Sequence, residues 1–248
     1  MPSPTGAGQY ESAIAHQLTG SSPQAAATLA HQLADAITLL SGNSTGYPVP
    51  KSTIMAELQG QVTASARLVL KLSVTGLAAW QQDWLACELP PRPGTAAAAR
   101  WADLRDRTWP LGDRLGLSVY MVLQWAHARC HTWLQRWPEP ATETDDCAAA
   151  IAQELQTAKA ALILPLLLRS IESLDQIAVR ADQPGACVRQ AYTLAETIYE
   201  LDARMAEFWR ADRSDRGLLA ATATIQSAQK VLALVLQGYL GVQPLAQL

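Results

Sequence analysis

The sequence predicts an all-α protein, a bundle of about five to seven long, mostly antiparallel helices with a partly flexible N-terminal helical arm. Three observations point there. Of 248 residues, 44 are Ala and 35 are Leu, both strong helix formers, whereas Val and Ile together supply 20. Proline and glycine gather in short clusters between long uninterrupted stretches, as at Pro90-Pro91-Arg92-Pro93-Gly94 and Pro138-Glu139-Pro140. Leu194, Ile198, Leu201, Met205 and Phe208 follow one another at spacings of 4, 3, 4 and 3, which puts them on one face of a helix.

Residues 1–48 read as an arm and linker with one or two short helices, in part disordered, and residues 49–248 as the bundle domain. The first fifty residues carry Glu11 and Asp35 but no Lys or Arg, and are rich in Ser, Thr, Gly, Pro and Gln. Within them Ser22-Pro23 supplies a hydroxyl cap followed by proline in the first turn. A helix is expected over Ala25–Leu40, ended by Ser41-Gly42. The tetrapeptide AHQL occurs at Ala15–Leu18 and Ala30–Leu33, but the bias toward Ala, Leu and Gln accounts for it without a repeat.

From Ser52, a candidate cap, one helix is expected over Ile54–Leu89, followed by a shorter one over Thr95–Arg107. Trp109-Pro110 opens a helix reaching Trp137, and Thr144, with Asp145 and Asp146 behind it, opens one that runs to Arg180 with a kink at Pro165. Gln183-Pro184 opens the helix that bears the apolar stripe. The last helix, Leu218–Tyr239, is apolar on most faces, which suits the centre of the bundle or a contact with a second subunit. Leu72-Ser73-Val74…Trp80 is echoed by Leu117-Ser118-Val119…Trp125, too few matches to establish duplication.

Bulk properties exclude several classes. Cys87, Cys130, Cys147 and Cys187 form no CxxC knuckle and are too few for the disulfide framework of a small secreted domain. The first residues lack the basic start and apolar run of a secretory signal, so a reduced, cytoplasmic setting is expected. The longest unbroken apolar run, Ala160–Leu168, is nine residues, against about 20 for a spanning helix, so no integral membrane segment is expected. Net charge is −3, and the 15 arginines are interleaved with acids, as in Arg100, Asp103, Arg105, Asp106 and Arg107. Nucleic-acid binding by a coherent basic face is therefore not expected.

His127-Ala128-Arg129-Cys130-His131 is the sharpest local feature. Histidines four apart share a side of a helix, and this spacing can serve one Zn or Fe ion, with Cys130 or a carboxylate from another helix completing the site. The remaining histidines, His16 and His31, lie in the arm, and Glu196, Glu200 and Glu207 point away from the Leu194–Phe208 stripe toward solvent. There is no HExxH, DDxxD, GxSxG, GxGxxG or P-loop, so no catalytic residue is assigned. Two tryptophan pairs four apart, Trp80/Trp84 and Trp133/Trp137, offer a candidate interaction surface.

These features point to a non-enzymatic helical protein that acts through protein–protein contacts, as scaffold, adaptor or subunit of a larger assembly, with a protein partner or self-association and no cofactor. The alternative is a helical-bundle enzyme or cofactor carrier with Zn or Fe at His127 and His131. A second alternative is a membrane-active protein in which Ala160–Leu168 or the last helix inserts, although Lys230 interrupts the latter.

Overall fold

Helix dominates the computed structural model, as the Ala and Leu content dictates. It describes residues 8–12, 15, 19, 22–42, 58–88, 116–136, 147–157, 162–179, 184–211 and 215–246. Two compact units divide the chain: Met1–Gln82 with Asp146–Thr157, and Asp83–Asp145 with Ala158–Leu248.

The first unit holds an unexpected three-stranded antiparallel sheet. Its strands are β1 (Gly8–Ser12), β2 (Leu58–Val62) and β3 (Leu68–Leu72), in the order β1-β3-β2. Because Gly8 pairs with Leu72 and Ser12 with Leu68, residues of the expected arm share a sheet with residues beyond the boundary at 48. The single helix expected over 54–89 is thus replaced by a hairpin and a shorter helix. In β2, Gln59 and Gln61 are exposed while Leu58, Gly60 and Val62 are half-buried, the period-two pattern of a strand. The chain reverses through Ala64-Ser65-Ala66, with Ala66 at φ 57 and the Thr63 hydroxyl accepting from Arg67 N at 3.1 Å.

Helix α1 (Pro23–Gly42) lies on β2 and β3. It starts as the sequence predicts, Ser22 Oγ accepting from Ala25 N at 3.4 Å. Ala26, Ala30 and Ala34 are buried one turn apart, and small side chains let the helix sit close to the strands. A Cβ on Gly60 would meet Ala34 Cα at 3.0 Å. Helix α2 (Val74–Ala86) follows directly, capped by Ser73, whose Oγ accepts from Gly76 N at 3.1 Å, and carries the chain into the second unit. The first unit also includes α4 (Cys147–Leu155).

The second unit is a ring of four helices: α3 (Val119–Arg136), α5 (Leu164–Val179), α6 (Pro184–Ala211) and α7 (Asp215–Ala233). Around the ring α3 packs on α7, α7 on α5, α5 on α6, and α6 on α3. The helix expected from Thr144 to Arg180 is two helices, because Gln156 and Thr157 turn the chain and Pro165 falls in the first turn of α5 rather than kinking a continuous rod. Of the predicted stripe, Leu194, Ile198, Leu201 and Met205 are buried, and the Phe208 side chain lies outside the described residues. On α7 the buried residues Ala220, Ala221, Ala223 and Ala228 allow close approach beside the larger Ile225, Val231 and Leu232, and the helix ends in one π-helical turn, Leu234–Tyr239. The stretch Arg216–Tyr239 is long and apolar enough to cross a membrane by length and composition, yet 72% of its apolar 18-residue window is buried inside the protein, as befits a core helix. The helix expected over Thr95–Arg107 lies outside the described residues, and of the one expected from Trp109-Pro110 to Trp137 the described part is α3, Val119–Arg136.

Candidate functional site

Helix α3 carries the residues singled out by sequence. Ser118 caps it, Oγ accepting from Met121 N at 3.4 Å, and its inward arc buries Val122, Leu123, Ala126, Cys130 and Trp133. His127 and His131 stand on the same side but have separate partners. His127 Nδ1 lies 2.8 Å from Leu245 O, to which it donates, while Gln135 Nε2 donates to His131 Nε2 at 2.9 Å. Burial holds the His127 pKa below its ordinary 6.5, with the Leu245 carbonyl opposing that shift and His131 adding to it. Cys130 is fully buried, and burial pushes its thiol far up, which keeps it protonated and unreactive. Among the described residues no group of three or more His, Cys, Asp or Glu is placed to hold a metal ion.

His127 instead belongs to a clamp that sequence reasoning missed. After the π turn, Leu240 N donates to Val235 O and Val242 N to Leu236 O, both at 2.9 Å, and Gly241 at φ +66 turns the chain back along α3. The fully buried Gln124 meets this segment with both ends of its amide: Nε2 donates to Gln243 O and Oε1 accepts from Leu245 N, each at 2.8 Å. A further contact runs from Nε2 to Tyr120 Oη at 3.3 Å. The available signal was a Gln on the apolar arc of a helix, since a buried amide requires partners. Those partners lie about 120 residues away, beyond the reach of any local pattern.

One side of the α3–α6 pair forms a polar and aromatic face. Asp202 of α6 accepts from Arg129 Nε at 2.6 Å and from Trp133 Nε1 at 3.2 Å with a single carboxylate oxygen. One turn back, the rings of Trp125 and Tyr199 meet at 5.6 Å, tilted by 56°, so α3 and α6 run in the same direction here. Tyr199 is 42% exposed. The tryptophan surface inferred from sequence is redistributed: Trp133 is 2% and Trp84 8% exposed, Trp80 is half-buried, and Trp137 lies outside the described residues. Both buried indoles donate their N–H within the protein, Trp133 to Asp202 and Trp84 to Ser227 O, and so anchor helices to one another. Of the acids expected to face water, Glu200 is exposed and Glu196 half-buried, and the Glu207 side chain lies outside the described residues.

Lys230, the charge that interrupts the last apolar helix in the sequence, closes the end of α2. Its Nζ donates to Trp84 O at 2.7 Å, to Leu85 O at 3.0 Å and to Cys87 O, and lies 4.9 Å from the centre of the Trp84 ring. An ammonium there satisfies helix-end carbonyls and opposes the negative end of the dipole.

Compared with family models, with curated proteins and with solved structures, the chain matches none.

Proposed function

We propose that this chain is a non-enzymatic helical protein that works through protein–protein contacts, and that the Trp125–Tyr199 face of α3 and α6 is its contact surface. The observation that carries this reading is Tyr199, 42% exposed and braced by Trp125 on one rigid helix pair, with Arg129 fixed by Asp202 one turn away. Trp, Tyr and Arg held rigid on a surface are the side chains that dominate interface energetics, because they present large area with little entropy left to lose. The two candidate reactive groups support a contact role over a chemical one, as the Cys130 thiol is sealed in the core and the His127 ring is engaged with Leu245 O.

A photo-crosslinking side chain at Tyr199 in the native host tests it. One discrete adduct with a single protein species is expected from Tyr199 and not from the exposed Arg169 on α5. Equal, diffuse labelling from both positions would refute the assignment.

A further inference from the structure

We propose that the Gln124–His127 side of α3 is a peptide site that reads main chain, and that its occupant, the segment Gly241–Ala246, exchanges between copies of this chain. The proposal uses none of the residues of the Trp125–Tyr199 face and stands whether or not that face binds anything.

The three bonds that α3 makes to the segment all end on its backbone: Gln124 Nε2 to Gln243 O, Leu245 N to Gln124 Oε1, and His127 Nδ1 to Leu245 O, each at 2.8 Å. The Gln124 amide thereby does what the N–H and C=O of one residue in a parallel neighbouring strand do, bonding to residues two apart on the extended partner. Pro244 between them has no N–H to satisfy, and its fixed φ favours the extended form, so the segment is pre-shaped for the site. The segment's own side chains add little: Gln243 is exposed, Leu245 is 40% exposed, and Val242 and Pro244 are half-buried. Selectivity for an extended main chain is therefore built into α3, while the sequence of the occupant is read only weakly.

The hinge is equally specific. Gly241 at φ +66 has nothing within 4 Å of where a Cβ would sit, and everything before it stays anchored, because Leu234, Val235, Leu236 and Leu240 are buried. The segment can swing away without opening the core, giving up the Val242 N–Leu236 O bond as it does so. Departure, however, takes from the Gln124 amide both of its main-chain partners and leaves it Tyr120 Oη and water, and exchanging two well-placed hydrogen bonds for water costs stability. The vacated clamp therefore favours refilling, and the sequence already shown to fit is that of Gly241–Ala246. Six residues reach about 20 Å when extended, enough to cross to an adjoining copy.

Two full-length variants test the exchange by complementation. Gln124→Leu keeps the segment and loses the clamp; Leu245→Pro keeps the clamp and removes the N–H that Gln124 Oε1 accepts. Each alone is expected to sediment as a monomer, whereas an equimolar mixture of mass-tagged copies gives a heterodimer at least tenfold more abundant than either homodimer in native mass spectrometry. A synthetic peptide of residues 241–248 is expected to bind the Leu245→Pro chain and to compete with heterodimer formation. Should Gln124→Leu fail to show a cooperative melt, Gln124→Met takes its place. A mixture no more associated than its components overturns the proposal, and so does peptide binding without heterodimer formation, which would assign the site to a different protein's peptide.

Discussion

Replacing Lys230 by Met removes one ammonium from the end of α2 while leaving its aliphatic stem to pack. Three carbonyl oxygens, of Trp84, Leu85 and Cys87, lose a charged donor, and the Trp84 ring loses a cation 4.9 Å from its centre. A hydrogen bond to a charged group contributes about 1.5–3 kcal/mol when its partner cannot reach water. Here Lys230 is half-buried and Cys87 exposed, so water recovers a share of what is lost. The cation–π contact adds about 0.5–1 kcal/mol and the helix-dipole interaction about 0.3–1 kcal/mol. The net loss expected is about 2–3 kcal/mol, measured by urea denaturation, and a fall in Tm of about 4–12 °C. Lys230→Arg keeps the charge but spreads its donors over a planar fork that cannot converge on three carbonyls, so it recovers part of the loss. A Met variant within about 0.5 kcal/mol of wild type would refute the reasoning, because that is the scatter of ordinary surface substitutions.

Three further outcomes follow from the contacts described. Gly60→Ala puts a methyl 3.0 Å from Ala34 Cα, so α1 must lift from β2 at about 1–3 kcal/mol, seen as faster amide exchange in Ala26–Ala34. Asp202→Ala leaves Arg129 and the buried Trp133 N–H without their shared acceptor and is expected to lower unfolding free energy by about 1–3 kcal/mol in denaturant titration; Asp202→Asn, which keeps an acceptor, loses less. His127 gives a signed pH dependence. Above 6.5 its ring is neutral in folded and unfolded chains alike; below 6.5 the unfolded chain takes up a proton that the buried ring resists, so stability falls as pH drops from 6.5 toward the depressed folded value and levels off below it. The difference between wild type and His127→Gln is expected to vanish its pH dependence above 6.5 and to show it below, in thermal melts across that range.

Much of the helical part was legible for local reasons. The stripe on α6 declares itself because burial on one side imposes a period near 3.6, and Leu194, Ile198, Leu201 and Met205 are all buried. Ser22-Pro23 marks a helix start because hydroxyl and proline both suit it, and the Leu-Ser-Val echo proves to be two equivalent caps, Ser73 on α2 and Ser118 on α3. The hairpin was hidden because its turn uses Ala66 at φ 57 where Gly or Asn would have announced it, and because Ala, Leu and Gln around it favour helix. β1 was invisible for another reason, its partner being some sixty residues on.

The site was less legible than the fold. A helical wheel identifies an inward arc but not what meets it, so Trp133 could be read as a platform when its N–H is committed to Asp202. Likewise the His127/His131 spacing is a property of one helix, whereas the role of His127 depends on a carbonyl of residue 245. Gln124, Tyr199 and Lys230 act through partners distant in sequence, and only packing brings those together.

The contact role of the α3–α6 face is tested most directly by the affinity of purified full-length protein for the species crosslinked through residue 199. Tyr199→Ala and Arg129→Ala are each expected to weaken that affinity by about 30-fold, the loss of about 2 kcal/mol that defines a dominant interface residue. Unchanged affinity in both variants, with the fold intact by circular dichroism, would contradict it.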